Sequence, residues 1–250
     1  MTLYPKAGVN KPHGPGSTLA GRKNPAGYVL PYNTNLEAWY DASTITGLAT
    51  TDPIVTWSDL SGNARTLASA ATKYPLYTTG ASPSGLPAAR FDGTNDYMTI
   101  DATDWGTALT QPNTIFVVSK RIAGAAIGLV VDGTATTRHA IYYWSTSQFW
   151  AYYSGVSVQS TVETWDNDWH YLRVVFNSTS STFHVDGSAV TIGGNSGPQT
   201  LDGLTLGIDG GNLTSFPLNA DIGEVLVYSE AVSAPNITLI EAYLAGKWGI

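Results

Sequence analysis

DWHYLRVVF (residues 168–176), followed by FHVDG (183–187) and DIGEVLVY (221–228), decides the fold of this chain. Each run is rich in Val, Tyr, Phe or Leu, and an Asp-Gly pair ends the second run. Apolar runs of this length bounded by turn residues are typical of antiparallel strands joined by hairpins. The last third of the chain is therefore predicted to contain a strand, a hairpin and a late apolar strand.

Upstream of this stretch, three more segments have the same character. LEAWYD (36–41) alternates apolar and polar residues, VTWSDLSGN (55–63) ends in turn residues, and ARFDGTNDYM (89–98) has a Gly turn between two strand-like halves. Gly, Asn, Asp and Ser separate the apolar runs, which favours antiparallel sheets. Further strands are predicted at residues 114–119, 127–131, 139–144, 148–154, 170–177, 182–185, 205–208 and 222–228.

Only the end of the chain has a helical pattern. Ser233 is placed as an N-cap and Pro235 falls in the first turn. One helical face then collects the side chains spaced by three or four residues, namely Ile237, Ile240, Glu241 and Leu244. We expect one C-terminal helix, packed on the strands through Tyr243, Leu244 and Trp248, and no helix before residue 234.

These segments, taken in chain order together with the ending IEAYLAGKWG (240–249), resemble the laminin-G-like branch of the concanavalin A-like jelly rolls found in phage and bacterial surface proteins. The resemblance covers residues 36–250. It implies an all-β domain, a two-sheet antiparallel jelly-roll sandwich with one short C-terminal helix. Members of this superfamily include lectins, glycosidases and virion proteins, so the fold alone does not define a function.

Residues 1–35 differ from the rest of the chain. They contain four basic and no acidic residues. The rest of the chain, which we call the body, has 8 of the 12 basic and all 19 acidic residues and therefore a net charge of −11. The segment is rich in Gly and Pro and cannot bury a core of its own. We expect an extended cationic arm that docks on a partner's acidic surface or, alternatively, wraps back on its own body. The candidate anchoring residues are Lys6, Lys11, Arg22, Lys23 and Tyr28.

Composition excludes several classes of site. The chain has no cysteine, so it forms neither a disulfide nor a thiolate metal site. Its first residues lack the apolar region of a secretory signal, and no apolar run is long enough to span a membrane. The body is too acidic for a phosphate-binding track, so no nucleic-acid partner and no membrane insertion are expected.

The carboxylates do not match the pattern of a glycosidase. Retaining enzymes need two carboxyl groups about 5–5.5 Å apart, which on a strand means positions two or four apart. The nearest candidates are residues 163–168 and the pair Asp221 and Glu224; a regular strand would point that pair to opposite faces. Both groups are expected to be solvated loop and strand-edge acids. The four histidines, His13, His139, His170 and His184, show no metal-binding spacing. We expect a non-enzymatic protein.

Calcium is the one cofactor that the resemblance suggests, because related domains often bind it with loop carboxylates. The candidate ligands are Asp92, Asp96, Asp166 and Asp168. The acids at 92 and 96 flank a Gly turn, where such residues more often cap the backbone than bind metal. We therefore predict no cofactor and assign no calcium ligand.

The densest aromatic cluster is predicted to lie on one β-hairpin, at Tyr142, Tyr143, Trp144, Phe149, Trp150, Tyr152 and Tyr153. Flat rings on a sheet surface can stack on sugar rings. Since both faces of the hairpin carry aromatic residues, one set belongs to the core, and the other forms a glycan platform or an oligomer contact. Trp144, Trp150 and Tyr152 are the glycan-binding candidates.

Three functions remain from the sequence. The first is a structural protein on the surface of a tailed-phage virion, a capsid decoration or head-fibre protein. In this case the arm would bind the major capsid protein or another virion protein, as part of a homo-oligomer (a trimer), with host or mucosal glycans as further ligands. The second is a carbohydrate-binding module of a tail or fibre. A glycan hydrolase is the third and weakest alternative.

Overall fold

The computed structural model describes residues 22–122, 127–134, 137–144, 149–160, 166–190 and 194–250. Two large antiparallel sheets pack into a β-sandwich, with one long helix at the C-terminus. The strands are β1 Arg22–Lys23, β2 Val29–Leu30, β3 Leu36–Asp41, β4 Thr56–Trp57, β5 Leu67–Ala68, β6 Leu76–Thr78, β7 Ala88–Asp92, β8 Met98–Ile100, β9 Asn113–Arg121, β10 Gly128–Asp132, β11 Ala140–Trp144, β12 Phe149–Tyr153, β13 Ser157–Gln159, β14 Trp169–Phe176, β15 Thr182–Val185, β16 Ser188–Ala189, β17 Leu204–Leu206 and β18 Asn219–Tyr228. The α-helices are α1 Ala102–Trp105 and α2 Ala234–Trp248, and short 3₁₀ helices cover Ala42–Thr44 and Ser178–Ser180.

The strand order shows how the chain alternates between the layers. In the part of the chain that the structure describes, sheet 1 has the order β16-β15-β14-β9-β18-β7-β6, and β3 also pairs with β18. Sheet 2 has the order β13-β12-β11-β10-β17-β8-β5-β4. Strands β1 and β2 form a separate ribbon. The predicted all-β sandwich with antiparallel pairing is confirmed.

The core lies between the two sheets and is rich in aromatic rings. Trp150 of sheet 2 contacts Phe183 of sheet 1 at 5.7 Å between ring centroids, and Tyr152 contacts Phe176 at 6.0 Å. The alternation in β15 explains the contact, because Phe183 points inward while His184 on its other face stays half-exposed. Such edge-to-face pairs are the favoured geometry of packed aromatic rings.

The central strand β18 is buried along almost its whole length. Helix α2 contributes to the cover of its outer face: Trp248 lies against Gly223, where an added Cβ would come within 2.6 Å of the indole ring. Position 223 therefore has to be glycine for the helix to pack this closely. Gly223 also lies at a β-bulge between Ile222 and Glu224, which shifts the register of β18 against β9.

The C-terminal helix agrees with its prediction. It begins after Ser233, has Pro235 in its first turn, and buries Ile240, Leu244 and Trp248. It ends at Gly249, which adopts the left-handed conformation with φ 76°. Trp248 stacks on Trp169 at 5.8 Å, which joins the helix to sheet 1. No helix in the described part of the chain is both long and apolar enough to cross a membrane.

One α-helix was missed. The prediction of no helix before residue 234 is wrong, because Ala102–Trp105 forms a short α-helix. Asp101 caps it by accepting hydrogen bonds from the backbone N–H groups of Thr103 and Asp104, both at 2.9 Å. One turn is too short to show helical periodicity, so only the capping residue pointed to it.

Residues 22–35 pack against the chain's own body. Leu30 is fully buried in the core, and Asn24 donates from its side-chain amide to the Asp41 carboxylate. Arg22 donates to the carbonyl oxygen of Ser61, and the Tyr28 ring centroid lies 5.0 Å from the Lys247 ammonium. For these residues the alternative of wrapping back on the body is the one observed. Lys23 is exposed, and Lys6 and Lys11 lie outside the described residues.

Candidate functional site

The hairpin of β11 and β12 positions the aromatic cluster. Its register pairs Tyr143 with Trp150, Ile141 with Tyr152, and Tyr142 with Ala151. Because successive side chains alternate, each of these pairs belongs to a single face of the sheet. The first two pairs form the inner face, and Tyr142 with Trp144 forms the outer face.

Trp150 and Tyr152 are therefore core residues, and their prediction as glycan ligands is wrong. Their exposed fractions are 1% and 0%, and both pack edge-to-face on Phe183 of the opposite sheet. Their spacing correctly indicated a shared face, but that face points into the sandwich. Trp144 is the candidate that the structure places at the surface, with 38% of its area exposed.

Next to Trp144 lies an open cleft of about 240 Å³. We refer to it as the aromatic cleft. Its apolar lining comes from β10, β11, β12 and the 209–216 loop, and two charged residues complete it. The lining residues are Ile127, Leu129, Arg138, Ala140, Tyr142, Trp144, Tyr153, Asp209 and Phe216.

Phe216 reaches the cleft from a loop rather than from the hairpin. It is 44% exposed, and its carbonyl oxygen accepts a hydrogen bond from the Leu129 N–H at 3.1 Å. The loop is held by Asn212, whose Oδ1 accepts from the N–H groups of Thr214 and Ser215 at 2.8 and 2.9 Å. This Asx-type turn holds the backbone of the loop, and the Leu129–Phe216 hydrogen bond ties the loop to β10.

Two rings of the outer face are also held in place. Tyr142 and Trp144 lie 6.4 Å apart between ring centroids at an angle of 56°. The Tyr142 hydroxyl hydrogen-bonds at 2.5 Å to the hydroxyl of Ser157 on β13, two strands away in the sheet. Tyr153 lies under the Arg138 guanidinium at 5.9 Å. The side chains of the cleft are thus oriented by neighbouring groups before a ligand arrives.

An ion-pair cluster forms the polar side of the cleft. Arg138 contacts Asp132 through Nε at 2.9 Å and Nη2 at 2.7 Å, and Asp209 through Nη2 at 3.1 Å. Asp132 is fully buried and also accepts from the N–H groups of Gly133 and Gly210. Burial raises the Asp132 pKa to about 6 even though Arg138 lowers it. At neutral pH the cluster holds one cation and two carboxylates.

Sequence patterns did not identify Arg138, Asp209 or Phe216, which are far apart in the chain. Tyr153 and Tyr142 were within the aromatic cluster but were not singled out. The density of aromatic residues in the hairpin was the signal that the sequence offered. The Arg138 ion pairs and Phe216 of the loop have no local sequence pattern. Taken together, the cleft can bind a ligand that offers a flat apolar face to the rings and hydroxyl groups to the charged edge.

The carboxylates considered for hydrolysis are placed differently from their prediction. Asp221 and Glu224 are buried, not solvated. The bulge at Gly223 sets Asp221 opposite Lys120 and Glu224 opposite Val118, two residues apart, so both lie on one face of β18 rather than on opposite faces. Asp221 pairs with Arg90 and Glu224 pairs with Lys247. Residues 163–165 of the other candidate lie outside the described residues.

The acids considered for calcium act as turn caps. Asp92 accepts from the Thr94 N–H at 2.7 Å, and Asp96 accepts from the Asp92 N–H at 3.0 Å. Asp166 accepts from the Asp168 N–H at 2.7 Å and contacts His170. Within the ranges described, no group of three or more His, Asp or Glu side chains is arranged to hold a metal ion.

Two histidines, His139 and His170, contact other side chains of the fold. His139 is buried and stacks on Phe176 at 4.2 Å, and burial lowers its pKa to about 4. His170 contacts Asp186 and Asp166. Neither ring faces the aromatic cleft, whose lining includes no histidine among the described residues.

Comparison with known proteins supports the fold. No family model and no curated protein matches the sequence. The solved structure of Trypanosoma rangeli sialidase with 2,3-difluoro-KDN is 10% identical with a TM-score of 0.59; the match covers 92% of this chain and 37% of the sialidase. Domain 4 of AbnA, a GH43 extracellular arabinanase from Geobacillus stearothermophilus solved with arabinotriose, is 14% identical with a TM-score of 0.53. That match covers 83% of this chain and 97% of the domain.

At these identities the likeness establishes the β-sandwich and nothing more specific. This chain spans just over a third of the sialidase chain and nearly the whole of the arabinanase domain. The jelly-roll sandwich implied by the laminin-G-like resemblance is thus supported at the level of the fold.

Proposed function

We propose that this protein is a non-enzymatic carbohydrate-binding β-sandwich and that the aromatic cleft is its binding site. The observation that carries the proposal is a cleft with a charged edge that is lined by the exposed rings of Trp144 and Phe216 and by the half-buried ring of Tyr142. Flat rings at a preformed cleft stack on the apolar face of a sugar, and the charged edge hydrogen-bonds its hydroxyl groups. The structural likeness to an arabinanase domain solved with arabinotriose supports the proposal.

The charge of the cleft favours neutral sugars. Arg138 is already neutralised by Asp132 and Asp209, so the cluster has an excess of one negative charge at neutral pH. The chain as a whole carries −7. A carboxylated or sulfated sugar would be repelled by this field, whereas a neutral sugar hydroxyl can donate to Asp209 or accept from Arg138.

The absence of catalysis is part of the proposal. Both carboxylates near the cleft already have partners: Asp132 accepts from two backbone amides and Arg138, and Asp209 accepts from the Gly211 N–H and from Arg138. A general acid or a nucleophile needs a free face towards the substrate. The hydrogen bonds that occupy both carboxyl groups support a binding role rather than a hydrolytic one.

A glycan array followed by calorimetry with the full chain tests the binding function. We expect neutral oligosaccharides to bind, with affinity lost in Trp144→Ala and Phe216→Ala. Tyr74→Ala serves as the matched control, because Tyr74 lines a different cleft with Pro53 and Leu76. Binding that survives both cleft substitutions would place the site elsewhere, and an array without any ligand would refute the function. Release of reducing sugar from a bound glycan would refute the non-enzymatic part.

Display of this module on a phage particle stays a prediction, as do its homotrimeric state and its capsid-protein partner. Since Arg22 and Tyr28 contact the chain's own body, the anchoring prediction now rests on Lys6, Lys11 and Lys23. Removal of residues 1–21 is therefore the informative truncation. Co-sedimentation of the full chain, but not of the truncated chain, with undecorated phage shells would support an anchoring arm.

A further inference from the structure

Three segments that the glycan function does not use meet at one buried point. Asp41 ends β3, Glu224 lies opposite it on β18, and Lys247 lies in the last turn of α2. The Lys247 Nζ atom is 2.5 Å from Asp41 Oδ2 and 2.8 Å from Glu224 Oε2. The three side chains are at most 1% exposed. We refer to these residues as the Lys–Asp–Glu cluster.

Aromatic donors surround and orient Glu224. Its Oε1 accepts from Trp39 Nε1 at 2.7 Å and from the Tyr243 hydroxyl at 2.8 Å. Its Oε2 accepts from Trp248 Nε1 at 2.8 Å as well as from Lys247. The carboxyl group is thus held rigidly beside the ammonium, in surroundings that exclude water.

The two oxygens of Asp41 have different surroundings. Oδ1 accepts from the N–H and the hydroxyl of Ser43 at 2.9 and 2.6 Å. Oδ2 faces Lys247 and also accepts from the Asn24 side-chain amide. Paired donors on one oxygen of a carboxyl group, with an amine against the other, form the arrangement that stabilises negative charge during attack on its carbon.

A simple buried ion pair explains this cluster poorly. Two carboxylates and one ammonium leave one buried negative charge without a cation, and removing ions from water costs several kcal/mol per ion. Burial and the nearby Asp41 charge raise the Glu224 pKa, so Glu224 takes up a proton more readily than an exposed glutamate.

We propose that Lys247 and Asp41 are joined by an intramolecular amide bond, and that Glu224 is the catalytic residue that transfers the proton. The bond forms between Lys247 Nζ and Asp41 Cγ. The reaction consumes an ammonium and a carboxylate, releases one water molecule, and requires no oxidant, cofactor or other reactant.

The protons and electrons balance as follows. The Lys247 ammonium passes one proton to Asp41 Oδ2, which leaves a neutral amine next to a neutral carboxyl group. The amine lone pair attacks Cγ, and negative charge develops on Oδ1, where Ser43 donates two hydrogen bonds. Glu224 takes a second proton from Nζ and delivers it to Oδ2, which leaves as water while the Cγ–Oδ1 double bond re-forms. Glu224 ends ionised, and the amide keeps the third proton.

The product would tie β3 to the C-terminal helix across a separation of 206 residues. A cross-link that closes a long loop restricts the unfolded chain and holds the helix on the sheet. It would also replace the Lys247–Asp41 ion pair with a neutral amide, while the Glu224 carboxylate keeps its hydrogen bonds from Trp39, Tyr243 and Trp248. Resistance to heat and to protease should follow.

The first experiment is the intact mass of the purified full chain, measured after denaturation. We expect a mass lower by one water molecule than the mass of the sequence. Protease digestion should release one peptide pair that contains both Asp41 and Lys247 and resists reduction. A folded chain with the full mass of its sequence would overturn the proposal, as would a water loss located at other residues.

Substitutions then test the role of each group. Glu224→Gln and Lys247→Arg should have the full mass of their sequences, and Asp221→Asn serves as the control because it changes another buried carboxylate on β18 and should keep the water loss. If Glu224→Gln folds and still loses water, Glu224 is not the proton-transferring residue. Should that variant fail to fold, the wild-type mass and the peptide pair decide the matter alone.

Discussion

The rings of Tyr142 and Trp144 lie 6.4 Å apart on the outer face of sheet 2, with the buried Tyr143 between them in the chain. The same strand therefore serves the core and the surface at successive positions. These two rings, together with Phe216 from the 209–216 loop, give this sandwich its candidate binding surface.

Trp144→Ala should weaken glycan binding and leave the fold intact. The loss of a ring covered by the ligand corresponds to about 1.5–3 kcal/mol, or roughly ten- to 100-fold in affinity. Because Trp144 is 38% exposed, the melting temperature should change little. Calorimetry and thermal melting of the same samples check both statements, and an unchanged affinity would exclude Trp144 from the site.

Trp150→Ala should behave in the opposite way. The indole is 1% exposed and packs on Tyr143 and Phe183, so its removal opens a cavity between the sheets. Large-to-small changes of this kind cost about 3–5 kcal/mol of folding stability. Urea denaturation measures the loss. A stable Trp150→Ala protein without glycan affinity would contradict the assignment of Trp150 to the core.

Arg138→Met should destabilise the fold more at pH 8 than at pH 5. The substitution leaves the buried Asp132 without its cation, which costs about 3–5 kcal/mol when the carboxylate is ionised. The Asp132 pKa is raised to about 6 in the folded protein, so its contribution to stability is greatest below pH 3.8 and is lost as the pH rises through 6. At pH 5 the carboxyl group is largely protonated and needs no cation.

Urea titrations at the two pH values, with Lys23→Met as the exposed-cation control, measure this difference. An equal loss of stability at pH 5 and pH 8 would show that Arg138 contributes by packing rather than by charge.

The contact of His170 with Asp186 and Asp166 should weaken in alkaline solution. Burial lowers the His170 pKa, but hydrogen bonds to Asp186 at 2.6 Å and Asp166 at 2.9 Å outweigh it and raise the pKa to about 9. Because the pKa is raised in the folded state, the contribution of this contact to folding stability is fully present below pH 6.5 and is lost as the pH rises through 9. The destabilisation caused by His170→Gln should therefore shrink between pH 6 and pH 10. A proton NMR titration of the ring checks the pKa directly, and a midpoint near 6.5 would contradict the contact.

Most of the fold was predictable because its signals are local. The run at 182–185 alternates buried and half-exposed side chains as its residue types indicate, and the predicted strand coincides with the observed one. The helix from Ala234 has its N-cap and first-turn proline in the expected places. Capping residues and periodicity act within one or two turns, so neighbouring residues suffice to reveal them.

The candidate site was predictable only in part. The aromatic density of the hairpin correctly indicated one buried and one exposed set, and Trp144 belongs to the exposed set. Trp150 and Tyr152 were assigned to the wrong set. The alternation of side chains along a strand shows which residues share a face, but it does not show which face meets the opposite sheet. Here the packing against Phe176 and Phe183 of sheet 1 decides which face is buried.

The sequence by itself determined the β-sandwich, its antiparallel strands and its closing helix, because alternation, turn residues and caps are short-range properties. Only the tertiary structure decided how distant residues combine. The bulge at Gly223 set the faces of Asp221 and Glu224, the 209–216 loop brought Phe216 to the cleft, and the docking of α2 brought Lys247 to Asp41. Such contacts depend on strand register and layer packing, which no local pattern records.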